Sequence, residues 1–261
     1  MDNKQDQIYL EGMTSISALI GGIRSGVNRR RILEVFVDEQ KMRAKAKELG
    51  FLRAVSSELG FSVTLTNAQT IDDMTNGTTH GGIVASCTER PIAQLRDALE
   101  HDAVWRKPDG FFAILEGIED PYNFGYALRS LYAAGADGVI LSPRNWMSAA
   151  SVVARSSAGA SELLPMAECE SEQAAVWLKA RSYRVVCAGI RDSVSLYEAD
   201  MSRPLLLVVG GEKCGISRAL LDTADQIVRI DYGREFRGSL STASATSVLA
   251  FEVLRQNGVK S

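Results

Sequence analysis

Residues 204–211 read Pro-Leu-Leu-Leu-Val-Val-Gly-Gly, and this run restricts the fold more than any other segment. A strand that is apolar at successive positions has no face to offer water, so it belongs in a parallel sheet covered on both sides. Shorter apolar, β-branched runs at 111–117, 138–143, 184–189 and 226–231 alternate with stretches of helical period at 124–134, 148–158, 173–181, 218–221 and 242–255. The C-terminal part therefore reads as an α/β domain with a mostly parallel sheet.

The N-terminal part is a smaller α/β module. Met13, Ile16, Leu19, Ile20 and Ile23 predict an amphipathic helix over Ile8 to Ile23, and Met42 to Leu59 predicts a second, ended by Gly60. Strands are expected at Leu33 to Val37, Phe61 to Asn67 and Gly81 to Cys87, with a helical turn at Ile71 to Met74. A further helix is expected over Pro91 to Glu100, before the turn Lys107-Pro108-Asp109-Gly110. The expected domains are 1–90 and 111–261, joined by a linker over 91–110.

With 261 residues, 46% hydrophobic and 23% charged, the chain is neither disordered nor fibrous. Its net charge of -3 does not announce a polyanion partner. Division after Lys107 puts 14 basic and 14 acidic residues on one side, and 15 and 18 on the other. The acidic surplus therefore belongs to the C-terminal part, while Arg24, Arg29, Arg30 and Arg31 form a basic turn that either lies solvated or meets phosphate. Cys87, Cys169, Cys187 and Cys214 lack Cys-x-x-Cys spacing and His80 and His101 are the only histidines, so no metal site is expected. The polar start, MDNKQDQIYLEG, and the lack of a long apolar window point to a cytoplasmic protein with reduced thiols and no membrane partner.

Three segments carry candidate chemistry. Gly210-Gly211-Glu212-Lys213-Cys214-Gly215 follows a strand and precedes a helix, yet matches neither the dinucleotide fingerprint nor the P-loop. It is either a tight turn or a ligand contact at the C-terminal end of a parallel strand. Asn123-Phe-Gly-Tyr-Ala-Leu-Arg129 puts Arg129 on or beside a buried stripe, where it holds a phosphate or carboxylate, or a structural partner such as Glu212. Gly238-Ser-Leu-Ser-Thr-Ala-Ser-Ala-Thr246 opens the last helix with hydroxyl residues; Ser239 or Ser241 suits an N-cap, and the small side chains also admit a ligand.

Taken together, the segments resemble the SpoU/TrmH branch of the SPOUT RNA methyltransferases, with its Asn-x-Gly-x-x-x-Arg, Gly-x-Glu-x-x-Gly and Ser-Leu-Asn motifs. Ser156 to Ala167 resembles the family's Ser/Gly-Ala-x-Glu-x-x-Pro stretch, and Thr79 to Ala85 a strand of the preceding substrate-binding domain. The resemblance implies a ribosomal-protein-like N-terminal domain that binds ribosomal or transfer RNA, a C-terminal trefoil-knotted domain, S-adenosylmethionine as cofactor, a homodimer, and transfer of methyl to a ribose 2′-hydroxyl. It places Gly210, Ile230 and Leu240 at the cofactor, with Gly189 and Gly211 beside them, and Asn123, Arg129, Glu212, Ser239 and Ser241 at the reaction. RNA contacts would come from Arg24, Arg29, Arg30, Arg31 and His80, although His80 also reads as a satisfied strand-edge histidine.

Arg129 suits phosphate anchoring better than base catalysis, because a guanidinium does not give up its proton in proteins. Ser241 departs from the motif asparagine, and Asp231 replaces a proline frequent in the family. These departures leave open a catalytically weakened relative that binds RNA or cofactor without methyl transfer.

Overall fold

The computed structural model describes residues 7–75, 79–143 and 149–258. The polar first six residues and Ser148, the expected start of a helix, lie outside them. The chain divides into two units: the described residues up to Pro91 with those of 149–163, and the remainder from Ile92.

The first unit opens with β1 (Gln7–Glu11) and α1 (Gly12–Arg24), so the single helix expected over Ile8 to Ile23 is a strand followed by a helix. Gly12, at φ +77°, makes the junction, and Ile8 and Leu10 pair with Cys87 and Ala85 of another strand instead of continuing the helical stripe. The unit continues with β2 (Ile32–Asp38), a 3-10 turn at Glu39–Lys41, α2 (Ala46–Leu59), β3 (Ser62–Thr66), α3 (Ala68–Asp73) and β4 (Ile83–Thr88). The sheet order is β1-β4-β2-β3: β4 runs antiparallel to both neighbours, and β2 is parallel to β3 through the α2 crossover. Leu10, Ile16, Leu19, Val35, Leu52 and Ile83 form its core.

In the second unit, β5 (Ala93–Gln94) and α4 (Leu95–His101) come first, then β6 (Phe111–Glu116), α5 (Pro121–Ala133) and β7 (Gly138–Leu141). The segment expected to be a linker therefore contains a strand and a helix, and its Leu95, Leu99 and Trp105 are buried in the core of this unit. Next in the chain, α6 (Ala150–Ser156) and α7 (Ala160–Leu163) belong to the first unit, where Ala154 joins the core. The second unit resumes with β8 (Met166–Glu168), α8 (Ser171–Lys179), β9 (Arg184–Ala188), β10 (Val194–Ser195), β11 (Leu205–Gly210), α9 (Arg218–Thr223), β12 (Gln226–Arg229) and α10 (Thr242–Asn257).

Its sheet has the order β10-β12-β9-β11-β6-β7-β8-β5, and every strand pair among the described residues is parallel. The apolar strand β11 lies between β9 and β6 with Leu205 to Val209 buried, as a strand covered on both faces must be. β9 and β12 lie on the far side of β11 from β6, and the chain after β12 returns to pack α10 on α5. The C-terminal ends of β9, β11 and β12 thus come together near the start of α10.

Candidate active site

Those strand ends and the segment before α10 enclose a cavity of about 550 Å³. Gly189, Gly210, Gly211, Ile230 and Leu240 all line it, as do Glu212 and Ser239. Val209, Ile216 and Leu249 supply apolar wall, and Glu212 and Asp231 supply carboxylates. Hydrogen bonds from Ser195 and then Arg229 hold the Asp231 carboxyl below the usual carboxylate range.

The glycine turn is built by close approach. A Cβ on Gly211 would collide with the Gly117 carbonyl oxygen, and one on Gly210 would come within 2.5 Å of the Gly215 backbone. Only hydrogen atoms at these positions let the ends of β11 and β6 touch, with Gly211 N–H donating to the Glu116 carbonyl at 2.7 Å.

Glu212 ties three elements together. Its Oε1 accepts from the Asn123 side-chain amide at 3.1 Å and from the Thr242 backbone N–H at 3.3 Å. Thr242 Oγ1 also donates to the Gly210 carbonyl at 3.2 Å. A carboxylate at a helix N-terminus is favoured by the unpaired N–H groups there. Here it joins the first turn of α5 to the first turn of α10.

Arg129 lies elsewhere. It is exposed, makes no hydrogen bond or ion pair among the described residues, and does not line the cavity of its own chain. The expected alternative of a structural bridge to Glu212 is thereby corrected: Phe124, Leu128 and Leu131 turn inward, while Arg129 shares the outward side with Tyr122 and Tyr126. Ser241 is the N-cap of α10, its hydroxyl accepting from the Ser244 N–H at 3.2 Å. Ser239 is exposed on the cavity wall.

The expected RNA contacts separate into two groups. Arg29 and Arg31 are exposed, and Arg24, though exposed, is held by Glu58. Arg30 is corrected to a buried role: its Nε donates to Glu162 at 3.0 Å and its Nη1 to the Thr88 carbonyl at 2.7 Å. His80 is also buried. Its Nδ1 accepts from the Gly82 N–H at 3.0 Å, so Nε2 carries the proton and faces Asp72 at 2.8 Å. Neither side chain is placed to meet RNA.

A second cavity, about 530 Å³, is lined by Glu116, Glu119, Phe124, Glu170, Glu172 and Cys214, of which only Phe124 and Cys214 fall in the motif segments. Glu116 accepts from the Ser217 N–H at 3.1 Å and Glu172 from its hydroxyl at 2.8 Å, so both serve the start of α9. No group of three or more His, Cys, Asp or Glu among the described residues is arranged for a metal ion. No helix among them is long and apolar enough to cross a membrane.

Two family models match the chain: the SpoU rRNA Methylase family over residues 110–251, and RNA 2′-O ribose methyltransferase substrate binding over residues 9–93. The chain is 29% identical to the 23S rRNA (guanosine-2′-O-)-methyltransferase RlmB of Shewanella oneidensis, across 97% of this chain and 98% of that protein. It is 30% identical to the Yersinia pestis enzyme of the same name, across 88% and 92%. Among solved structures, the AdoMet-bound rRNA methyltransferase of Sinorhizobium meliloti superposes with a TM-score of 0.77 at 23% identity, covering 97% of this chain and 88% of that one. The SpoU methyltransferase AviRb of Streptomyces viridochromogenes, in complex with AdoMet, also gives 0.77, at 20% identity and covering 98% and 94%. The fold is that of the SpoU methyltransferases.

Proposed function

Because the chain belongs to the SpoU rRNA methylase family, we propose that it methylates a ribose 2′-hydroxyl of ribosomal RNA in the cytoplasm, with S-adenosylmethionine as methyl donor. One observation carries the reading: a single cavity collects Gly189, Gly210, Gly211, Ile230 and Leu240, and its rim residue Glu212 holds Asn123.

The cavity suits that cofactor. Its volume lies within the roughly 300–1,000 Å³ of small-molecule sites. Val209, Ile216 and Leu249 can receive an aromatic base, the strand ends present backbone groups, and the carboxylates of Glu212 and Asp231 favour a cationic sulfur. When bound, the cofactor supplies an electrophilic methyl group on a sulfonium.

The chain's own residues do the rest. Glu212 fixes the Asn123 amide beside the cavity and anchors the start of α10, so that the wall keeps its shape without reorganisation during reaction. Arg129, which has no hydrogen bond or ion pair among the described residues, grips the phosphate next to the target ribose through a two-pronged fork. Since Arg129 does not line its own cavity, we assign it to the cavity of a second subunit. The exposed Tyr122, Tyr126 and Tyr132 of α5 offer apolar surface for that dimer. Arg29 and Arg31 contribute phosphate contacts from the first unit.

Incubation of the purified protein with total RNA and tritiated cofactor tests the reading. Label enters RNA with the wild type and is lost with Arg129→Ala; cofactor binding with no label in RNA refutes it. Sedimentation velocity of the active protein shows a dimer, and an active monomer refutes the shared site.

A further inference from the structure

The segment between β12 and α10 is more exposed than a cavity wall needs to be. Residues 231–239, Asp-Tyr-Gly-Arg-Glu-Phe-Arg-Gly-Ser, are exposed throughout. Tyr232 is 41% and Phe236 59% exposed, with ring centroids 5.7 Å apart and planes tilted by 59°. Ile190, which is 83% exposed, lines the same cavity as both rings. Three large apolar side chains gathered in water at one mouth mark a surface that meets a partner.

The charges say which kind. Arg191, Arg234 and Arg237 are exposed and make no hydrogen bond or ion pair among the described residues. Arg229, by contrast, is held by Asp231 at 2.8 Å and by the Ser193 carbonyl at 2.6 Å. The acidic side chains beside them in sequence are Asp192, Asp231 and Glu235, against Arg191, Arg229, Arg234 and Arg237, so the patch keeps an excess of one positive charge within the acidic part of the chain. Aromatic rings alternating with unneutralised guanidinium groups suit unpaired nucleotides, with bases stacked on rings and phosphates met by forks. A second copy of the chain fits less well, because a twofold contact would bring the same arginines into one interface.

We infer that residues 231–239, with Ile190, hold about two unpaired nucleotides of the RNA substrate at the mouth of the cavity. Tyr232 and Phe236 stack on bases, and Arg234 and Arg237 meet the flanking phosphates. The inference rests on the RNA reading above and adds to it contacts from Ile190, Tyr232, Arg234, Phe236 and Arg237, which the motifs do not include.

The test measures binding of the full chain, without cofactor, to a fluorescein-labelled single strand of about 12 uridines, against an RNA hairpin of similar length. Phe236→Ala weakens single-strand binding by about 5- to 160-fold, and Phe236→Trp, which keeps a stacking face, retains it. R234Q/R237Q lowers the slope of log affinity against log salt by about 1.4. Unchanged affinity and slope in these variants, with a wild type that methylates RNA, overturn this inference and leave the proposed function standing. An element that only covers the cofactor would give that result, since no cofactor is present. Loss of binding that tracks dissociation of a dimer at the same protein concentration also overturns it. Failure of the proposed function shows separately, as a wild type that places no label on RNA.

Discussion

Asn123 donates its side-chain amide to Glu212 across 3.1 Å, a contact between residues 89 positions apart that joins the start of α5 to the turn after β11. The same carboxylate oxygen receives the first backbone N–H of α10. Glu212 is therefore a positioning residue as much as a cavity wall. Glu212→Ala is expected to lower the methyl-transfer rate constant by about 100-fold, the cost of a misplacement near 1 Å. Asn123→Ala should reproduce most of that loss, and the double variant should fall little further, because both act through one contact. Additive losses in single-turnover assays would contradict the shared role.

Ser241 stands where the family motif has asparagine, and it caps α10 by accepting from the Ser244 N–H. Ser241→Ala removes that cap, at a cost of about 1 kcal/mol, and lowers Tm by about 2–4 °C. Ser241→Asn keeps the cap, since asparagine accepts equally well, and leaves Tm unchanged. Thermal unfolding followed by circular dichroism decides; a stable alanine variant would show that the cap contributes nothing.

Glu162 is the buried carboxylate of the first unit. It accepts from Asn28 at 2.7 Å, Arg30 at 3.0 Å and the Ser161 hydroxyl at 3.2 Å. Arg90, pushed down to about 10 chiefly by burial, feels its charge. Glu162→Ala would strand buried guanidinium groups and is expected to destabilise the unit by about 3–5 kcal/mol. Urea unfolding measures the loss, and a change under about 1 kcal/mol would refute the buried pairing.

Alkaline pH should weaken the fold. Burial pushes the thiols of Cys87 and Cys187 up to about 12 from 9.0, and the Tyr183 hydroxyl up to about 12 from 10.0. Across that window the folded chain keeps protons that the unfolded chain releases, so stability falls as pH rises. Arg90 acts in the opposite sense above about 10, where the folded state more readily gives up its proton, but it is one group against four, since burial also pushes the Cys169 thiol up to about 11. The urea midpoint is expected to drop between about pH 9 and 11, and to drop less in C87A/C187A. An equal drop in that variant would contradict the assignment.

Much of this architecture is legible in residue patterns, because parallel strands buried on both faces must be apolar throughout, as Leu205 to Val209 are. The short strands β5, β8 and β10 are not legible, since two or three residues carry no period. Ile8 and Leu10 extend the spacing of α1 by coincidence, and only Gly12 hints at the break. Within the basic turn, nothing local separates buried Arg30 from exposed Arg29 and Arg31, because its partner Glu162 lies 132 positions away. In the cavity, the glycine turn at Gly210 and Gly211 is legible through the rule that ligands gather at strand C-termini, while Gly189, Ile230 and Leu240 follow only from the family resemblance. Tyr232, Phe236 and Arg237 on its wall escape the motifs, although their alternation of ring and guanidinium is visible in the sequence.

Methyl transfer to ribose at this site is the reaction on which the other assignments depend. Mass spectrometry of nucleosides from ribosomal RNA, treated with the purified protein and S-adenosylmethionine and then digested completely, tests it most directly. The expected result is a 2′-O-methylnucleoside that appears with the wild type and is absent with Arg129→Ala; a methyl group on a base, or no new methylated nucleoside, would contradict it.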